Sequence, residues 1–301
     1  IVVKSAGNER ARQGHAEVTL LAGSVEPLNL ECDPVPFPPS KSSIELWWRS
    51  ANKFSFRLLE PLPSDQLTKP LPAGAPPRRV SDTVDRTNPD VEGGFSGKGS
   101  YRMSFISRHP DNGDSVLKVS VKNSTMQVVP MVWSLQIVAQ RVSQQGEIHA
   151  WIERDGPPNS RFHNHANERM TLTVPGTAYS VITVGAIGAG APIMVGAASS
   201  YGPTRDDRRK PEVAAPGIDI AAARGGTAND VITMSGTSMA APHVAGAVAL
   251  VLSKVARAGR PVPTATQVSA AIQETTKNYS GVHDRGQGYG VLNVKALLAE
   301  F

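Results

Sequence analysis

The 301-residue chain is 40% hydrophobic and 19% charged, which supplies apolar material for a sizeable core and, by length, for about two domains. That composition excludes a chain disordered throughout, and 27 glycines and 24 prolines exclude a helical bundle or coiled coil in favour of many short elements. A single cysteine, Cys32, excludes both an intrachain disulfide framework and a cysteine-based metal cluster. The net charge of +5 is spread out: Lys/Arg and Asp/Glu nearly balance between residues 20 and 170, and the densest basic stretch, Arg205 to Lys210, carries Asp206 and Asp207. It reads as a solvated loop, so no nucleic-acid partner is expected.

Ile1-Val2-Val3 opens without Met and without a signal-peptide pattern, and reads as a chain already in progress. This β-branched run ending in Ala6-Gly7 predicts a strand buried on both faces, as in parallel sheets. From Ser43 the apolar residues alternate: Ile44, Leu46, Trp48; Phe54, Phe56, Leu58; Tyr101, Met103, Phe105; Leu117, Val119, Val121; Trp133, Leu135, Ile137; Ile148, Ala150, Ile152. Period two predicts strands. Trp47 and Trp48 must then lie on opposite faces, one in the core and the other against a loop or the remainder of the protein. The stretch from Glu60 to Pro77 is proline-dense and irregular, so antiparallel strands joined by loops, in a sandwich or jelly roll, fit best.

After about Thr171 short apolar runs alternate with Gly and Pro: Val181 to Ala186, Glu212 to Ala215, Ile218 to Ala222, Val231 to Met234. A small-residue helix follows from about Ser238 to Val255. Its apolar stretch, Ala240 to Leu252, is too short to span a bilayer and reads as a buried core helix. Thr264-Ala265-Thr266-Gln267 has the capping-box spacing and predicts a helix to about Glu274. Asn293 caps a last helix with Val294, Leu297 and Leu298 on one face. The expected fold class is α/β, part of a doubly wound parallel sheet interrupted by an antiparallel β-sandwich or jelly roll. The α/β domain comprises residues 1–14 and 171–301, and the insertion residues 15–170.

The chemistry lies in the string Ser235-Gly236-Thr237-Ser238-Met239-Ala240-Ala241-Pro242-His243-Val244-Ala245-Gly246. Ser238 follows a strand and a glycine turn at the mouth of an apolar helix. Free N–H groups and the helix dipole there favour an oxyanion beside it. Pro242, placed in the first turn, costs little there. From position alone Ser238 is equally a helix cap.

The string from Gly236 to Gly246 resembles the serine motif of the subtilisin-like serine proteases (subtilases, peptidase family S8). Ser199 to Thr204, Lys210 to Gly217, Pro175 to Ala178 with Val181 to Ala186, and Gly288 to Asn293 are similar to other segments of that family. The resemblance implies a serine endopeptidase that hydrolyses peptide bonds through an acyl-enzyme on Ser238. Val2 to Glu9 resembles the stretch carrying the family's oxyanion-hole asparagine, which assigns Asn8 that role beside the Ser238 backbone N–H. Ser5, Ala6 and Gly7 would line one wall of the primary specificity pocket. The inserted strands resemble the jelly-roll insertion of clostridial spore-germination subtilases.

The family draws its base from a His-Gly-Thr string and orients it with an Asp-Ser/Thr-Gly string, and neither occurs here. In the family both precede the asparagine motif, so the chain reads as a C-terminal part of the catalytic domain that needs its N-terminal part and is inactive alone. Half of a doubly wound sheet leaves apolar edges uncovered, which implies that missing part, self-association, or local rearrangement near Ile1. His243, five residues after Ser238 on one helix, points elsewhere, and His163 and His165 have no third ligand, so no metal site is assigned. No cofactor is implied; calcium is known in the family but unreadable here. Peptide or protein substrates and secretion follow from the family. The alternative is a pseudoprotease, or a binding or regulatory protein whose insertion recognises a glycan, peptide or partner.

Overall fold

The computed structural model describes residues 1–34, 41–69, 75–124, 129–143, 146–153, 160–190, 192–277 and 282–301. Strand β1 (Val2–Ser5) comes first, and a 3-10 turn at Arg10–Arg12 closes the opening segment. Ile1–Arg12 together with Glu168–Phe301 makes one compact unit, and Gln13–Asn167 makes another.

Within Gln13–Asn167 the chain runs through β2 (His15–Leu20), β3 (Val25–Cys32), β4 (Lys41–Trp48), β5 (Lys53–Pro63), β6 (Asp90–Phe95), β7 (Gly99–Ile106), β8 (Ser115–Asn123), β9 (Met131–Arg141), β10 (Gly146–Glu153) and β11 (Arg161–Phe162). A six-stranded sheet has the order β2-β10-β4-β8-β7-β6 and a four-stranded sheet the order β11-β3-β9-β5, every pairing being antiparallel. Period-two alternation sends one side of each strand into a single core shared by both sheets, with Leu46 and Leu117 from the first and Phe56 and Leu135 from the second. Trp48 sits in that core with its ring 5.2 Å from Phe56 and 5.5 Å from Phe105. Trp47, on the opposite side of β4, donates its indole N–H to Glu45 (3.0 Å) and packs against His109 at 5.1 Å.

All six alternating segments are strands, and the structure adds β2, β3, β6 and β11. Pro27 is accommodated within β3 because β11 reaches only Leu30 and Glu31, so beside Pro27 one side of β3 has no ladder partner that needs an N–H. Cys32, 4% exposed, ends β3 in the core.

The other unit resumes with β12 (Val181–Ile187), β13 (Val213–Pro216), β14 (Ile220–Ala223) and β15 (Val231–Met234), then α1 (Thr237–Arg257), α2 (Ala265–Glu274) and α3 (Val294–Ala299). Strands β1, β12 and β13 form a parallel sheet in that order, and β14 pairs with β15 as an antiparallel hairpin. The chain is therefore a mixed α/β protein with one parallel and several antiparallel sheets. Central β12 is buried throughout, the pattern of a parallel strand covered on both faces. Ile182, Val184 and Ala186 pack with Ala240, Val244, Val248 and Val251 of α1. The Thr264–Gln267 capping box opens α2 with both reciprocal hydrogen bonds, and the Asn293 side chain caps α3.

Four expectations need correction. Strand β1 is not buried on both faces: Val2 is 54% exposed, because β1 is the sheet edge and pairs only with β12. Helix α1 is longer than its apolar stretch implied, 21 residues, and is long and apolar enough to cross a bilayer by length and composition only, a test that buried core helices also pass; one face belongs to the core of this unit, while Ala245, Ala249 and Leu250 on another are exposed. Pro242 lies beyond the first turn of a helix that starts at Thr237, so its missing N–H leaves the Ser238 carbonyl without its helical donor. Lys210 is not a solvated loop residue. It is 2% exposed, and its ammonium donates to Val181 O (2.6 Å), Thr183 Oγ1 (3.2 Å) and Glu212 Oε1 (2.7 Å), while Glu212 Oε2 accepts from the Thr183 N–H (2.7 Å). Asp206 does behave as a loop residue: Arg208 above all, then Thr204, hold its carboxyl down to about 2.

Lys210→Met should cost about 3–5 kcal/mol in denaturant unfolding, because it strands the buried Glu212 carboxylate. Lys210→Met combined with Glu212→Leu should recover part of that loss, as removing both charges leaves neither unpaired. Burial pushes the Cys32 thiol up to about 11, so Cys32 should resist alkylation at pH 8 in the folded chain and react once denaturant is added, as followed by intact mass.

Candidate active site

Ser238 is the second residue of α1 and is exposed. The N-cap is Gly236, whose φ of +149° is reached without strain only by glycine. Ser238 is thus not the helix cap. No side chain of the strand–turn–helix segment caps α1; the cap comes from the far end of the chain. Asn8 Oδ1 accepts from the Thr237 N–H (3.0 Å) and from Thr237 Oγ1 (3.1 Å), and Thr237 Oγ1 accepts from the Gly7 N–H (3.1 Å). Thr237 is fully buried.

Because a backbone N–H only donates, the Asn8 atom facing it must be the carbonyl oxygen, which fixes the amide orientation and leaves Nδ2 as a donor on the other side. A Cβ added to Gly236 would lie 3.2 Å from that Nδ2, so the amide occupies space that a side chain at 236 would crowd. Among the first N–H groups of α1, Thr237's is capped by Asn8 and Met239's bonds to Gly236 O (3.0 Å). The Ser238 N–H has no acceptor among the described residues. The N-terminal turn therefore presents one free backbone donor at the serine, with the Asn8 amide fixed beside Thr237.

The neighbouring segment is anchored through its backbone. Ala6 N–H donates to Val184 O and Thr173 N–H to Ala6 O, each at 2.9 Å, while Ser200 N–H donates to Gly7 O at 2.9 Å and Gly236 N–H to Gly217 O at 2.7 Å. Gly7 has φ +109°, and a Cβ there would fall 2.6 Å from the Thr173 methyl and 2.9 Å from Ser200 Oγ, so this position requires glycine. Ala6 and Gly7 are buried and Ser5 is half-buried, with Ser5 Oγ accepting from Lys4 Nζ at 2.7 Å. The structure thus joins Asn8 and Gly7 to the residue preceding Ser238, and places Ser5 and Ala6 in the strand end that supports them.

Among the described residues of this unit no histidine is bonded to Ser238. Its histidines are His243 and His283, and each ring donates to a backbone carbonyl: His243 Nδ1 to Met239 O (3.0 Å) and His283 Nε2 to Pro211 O (2.9 Å). Neither is bonded to Ser238. In the antiparallel unit His163 faces Glu31 Oε2 at 3.2 Å and His165 has φ +57°, which breaks the strand alternation that would have set the two side by side.

Residues 123–290, more than half of the chain, match the Subtilase family. The chain belongs to that family. The match begins inside the antiparallel unit and continues through the Ser238 helix into the closing loop. Within the subtilases the chain is 34% identical over 139 residues to the "Extracellular basic protease" of Dichelobacter nodosus, which is 43% of this chain and 21% of that protein. It is 30% identical over 149 residues to "Serine protease AprX" of Bacillus subtilis, 44% of this chain and 33% of that protein. The chain thus spans no more than a third of the length of these two relatives. The CspB protease of Clostridium perfringens shares the fold, with a TM-score of 0.78 over 99% of this chain and 58% of that chain, at 19% identity. Subtilases are serine proteases that act on peptides and proteins, and their hydrolytic chemistry needs no cofactor.

The role of Thr237 was not legible locally, although it stands inside the serine string. The signal that exposes it is a fully buried hydroxyl bonded to a residue at the opposite end of the chain.

Burial holds the His283 pKa below its ordinary value, by more than the bond to Pro211 O restores. The folded state therefore binds fewer protons than the unfolded chain once the pH drops below about 6.5. Stability should fall as pH is lowered from about 6.5 through the depressed folded pKa, and His283→Gln should flatten that slope in melts recorded between pH 5 and 7.

Proposed function

We propose that the chain is the nucleophile-bearing part of a secreted subtilase endopeptidase, with the Gln13–Asn167 unit inserted into the catalytic domain as a β-sandwich. The observation that carries this reading is the Asn8–Thr237 clamp, which leaves the Ser238 N–H free and fixes the Asn8 amide beside Thr237.

In this reading Ser238 Oγ attacks the substrate carbonyl carbon while its proton passes to a histidine supplied from outside these 301 residues. The tetrahedral oxyanion accepts hydrogen bonds from the Ser238 N–H and Asn8 Nδ2. Collapse breaks the peptide C–N bond, the amine leaves with the proton returned by the histidine, and water then hydrolyses the acyl-enzyme by the same route in reverse. The strand end at Ser5–Gly7 provides one wall for the residue before the scissile bond. Support for an external base comes from His243 and His283, both engaged with backbone carbonyls. Support for secretion comes from the extracellular relative in Dichelobacter nodosus. A calcium ion has no role in these steps.

The test is intact-mass analysis after exposure to a fluorophosphonate. The 301-residue chain alone should give no adduct, whereas the protein containing the upstream catalytic segment should give one that disappears in Ser238→Ala. In that complete protein Asn8→Ala should lower kcat by about 10²–10³. An adduct on the isolated chain would overturn the external base. Failure of the complete protein to label would overturn the protease reading.

A further inference from the structure

The outward face of β2 and β10, on the six-stranded sheet, carries a cluster unrelated to the serine site. Ala16, Val18, Ile148 and Ala150 point into the core, so His15, Glu17, Glu147, His149 and Trp151 share the other face. The register sets His149 directly opposite Glu17 and Trp151 opposite His15. His15 is fully buried and His149 is 6% exposed. Trp151 stacks on both imidazoles, at 4.9 and 5.7 Å between ring centroids.

His15 Nδ1 lies 3.3 Å from the Asn167 carbonyl oxygen, which only accepts, so Nδ1 carries a hydrogen. His15 Nε2 lies 3.2 Å from His149 Nδ1, and His149 Nε2 lies 3.1 Å from Glu147 Oε1. Glu17 stands across the strand pair with its Oε2 held by Asn167 Nδ2 at 2.8 Å, leaving Oε1 to act. One atom from each of Glu17, Glu147 and His149 comes within 4.8 Å of the other two. An imidazole nitrogen and two carboxylates thus converge on one point, the donor set of a cation site.

We infer that Glu17, Glu147 and His149 bind a divalent transition-metal ion of the zinc class, with His15 and Asn167 as the outer partners that orient His149 and Glu17. One imidazole and two carboxylates are ligands that zinc accepts at tetrahedral geometry, with a fourth position open to water on the side of the half-exposed Glu147. The chain of hydrogen bonds from Asn167 O through His15 to His149 is an outer-shell arrangement of the kind that orients a metal-binding imidazole. The ion would tie β2 to β10 and to the residues around Asn167, whose N–H also bonds to His15 O at 2.9 Å.

The experiment is calorimetric titration of the metal-free 301-residue chain with zinc chloride, paired with cobalt(II) absorption spectra and melting curves. The expected result is a saturable site, visible-band absorption of four-coordinate cobalt, and a melting temperature that rises with zinc concentration. Glu147→Gln and Glu17→Gln should each weaken zinc by at least about tenfold, and His163→Gln, just after β11, should leave it unchanged. Because the Glu147 side chain is 52% exposed, its variant should fold with the parent's circular dichroism. Absence of saturable binding overturns the proposal. Binding of equal strength in Glu147→Gln and Glu17→Gln overturns it too.

Discussion

The hydrogen bonds from Thr237 to Asn8 Oδ1 join residues 229 positions apart, and the geometry around Ser238 follows from them. The Thr237 N–H is one of the orphan donors of the α1 N-terminus, and a buried orphan costs about 1–3 kcal/mol. Folding therefore drives the amide oxygen of Asn8 onto the helix end for reasons of stability alone. The same contact turns the amide nitrogen away from Thr237. A stabilising cap and a positioned donor are in this way two ends of one planar group, and neither is obtained without the other. Gly236 completes the constraint, since its φ of +149° opens the turn and its missing Cβ leaves room for the amide.

For that clamp to form, the short segment Val2 to Asn8 must arrive at the correct height beside α1. The parallel pairing Val3↔Ile182 and Ser5↔Val184 sets the height, and the continuously buried β12 sets the sheet against the helix. The Lys210–Glu212 pair ties the backbone of β12 to the entrance of β13 from within. A long excursion separates Arg12 from Glu168, yet its two ends meet in the same unit, where Arg10 lies 3.9 Å from the Glu168 carboxylate. Closure entropy grows only with the logarithm of loop length, so once the ends are held, the size of what lies between them matters little to the site. What lies between has its own core, filled from both antiparallel sheets.

Legibility in the sequence tracked how local the deciding interaction is. The six alternating segments from Ile44 to Ile152 were readable because one strand's own pleat produces the pattern. The caps at Thr264 and Asn293 were readable because donor and acceptor lie within one turn. Strand β3 was hidden by Pro27, whose tolerance depends on where β11 stops, and β6 by Gly93 and Gly94, where the Tyr101 ring lies against Gly93. The edge position of β1 was not legible, since a β-branched run reads the same with one neighbour or two. The helix mouth singled out Ser238, but its role and that of Asn8 rest on resemblance to the subtilases, for nothing in either stretch alone announces a bond across the chain. Lys210 was misread because its neighbours are charged, although the structure sends it inward and Asp206, Asp207 and Arg209 outward.

Helix α1 shows how far its local oddities serve one end. A 21-residue helix of small and apolar residues gains most of its stability from the face set against β12 and β13, so its first turns need not be optimal. Pro242 removes the donor that the Ser238 carbonyl would have used, and the N-cap residue has no side chain. Both choices weaken the turn that carries Ser238. The loss is offset from outside the helix, by Asn8 on Thr237 and by Gly217 O on the Gly236 N–H, so the turn is held by tertiary bonds in place of helical ones. A turn held in that way keeps the Ser238 N–H unpaired in a fixed direction, which a fully bonded or self-capped helix end would not guarantee.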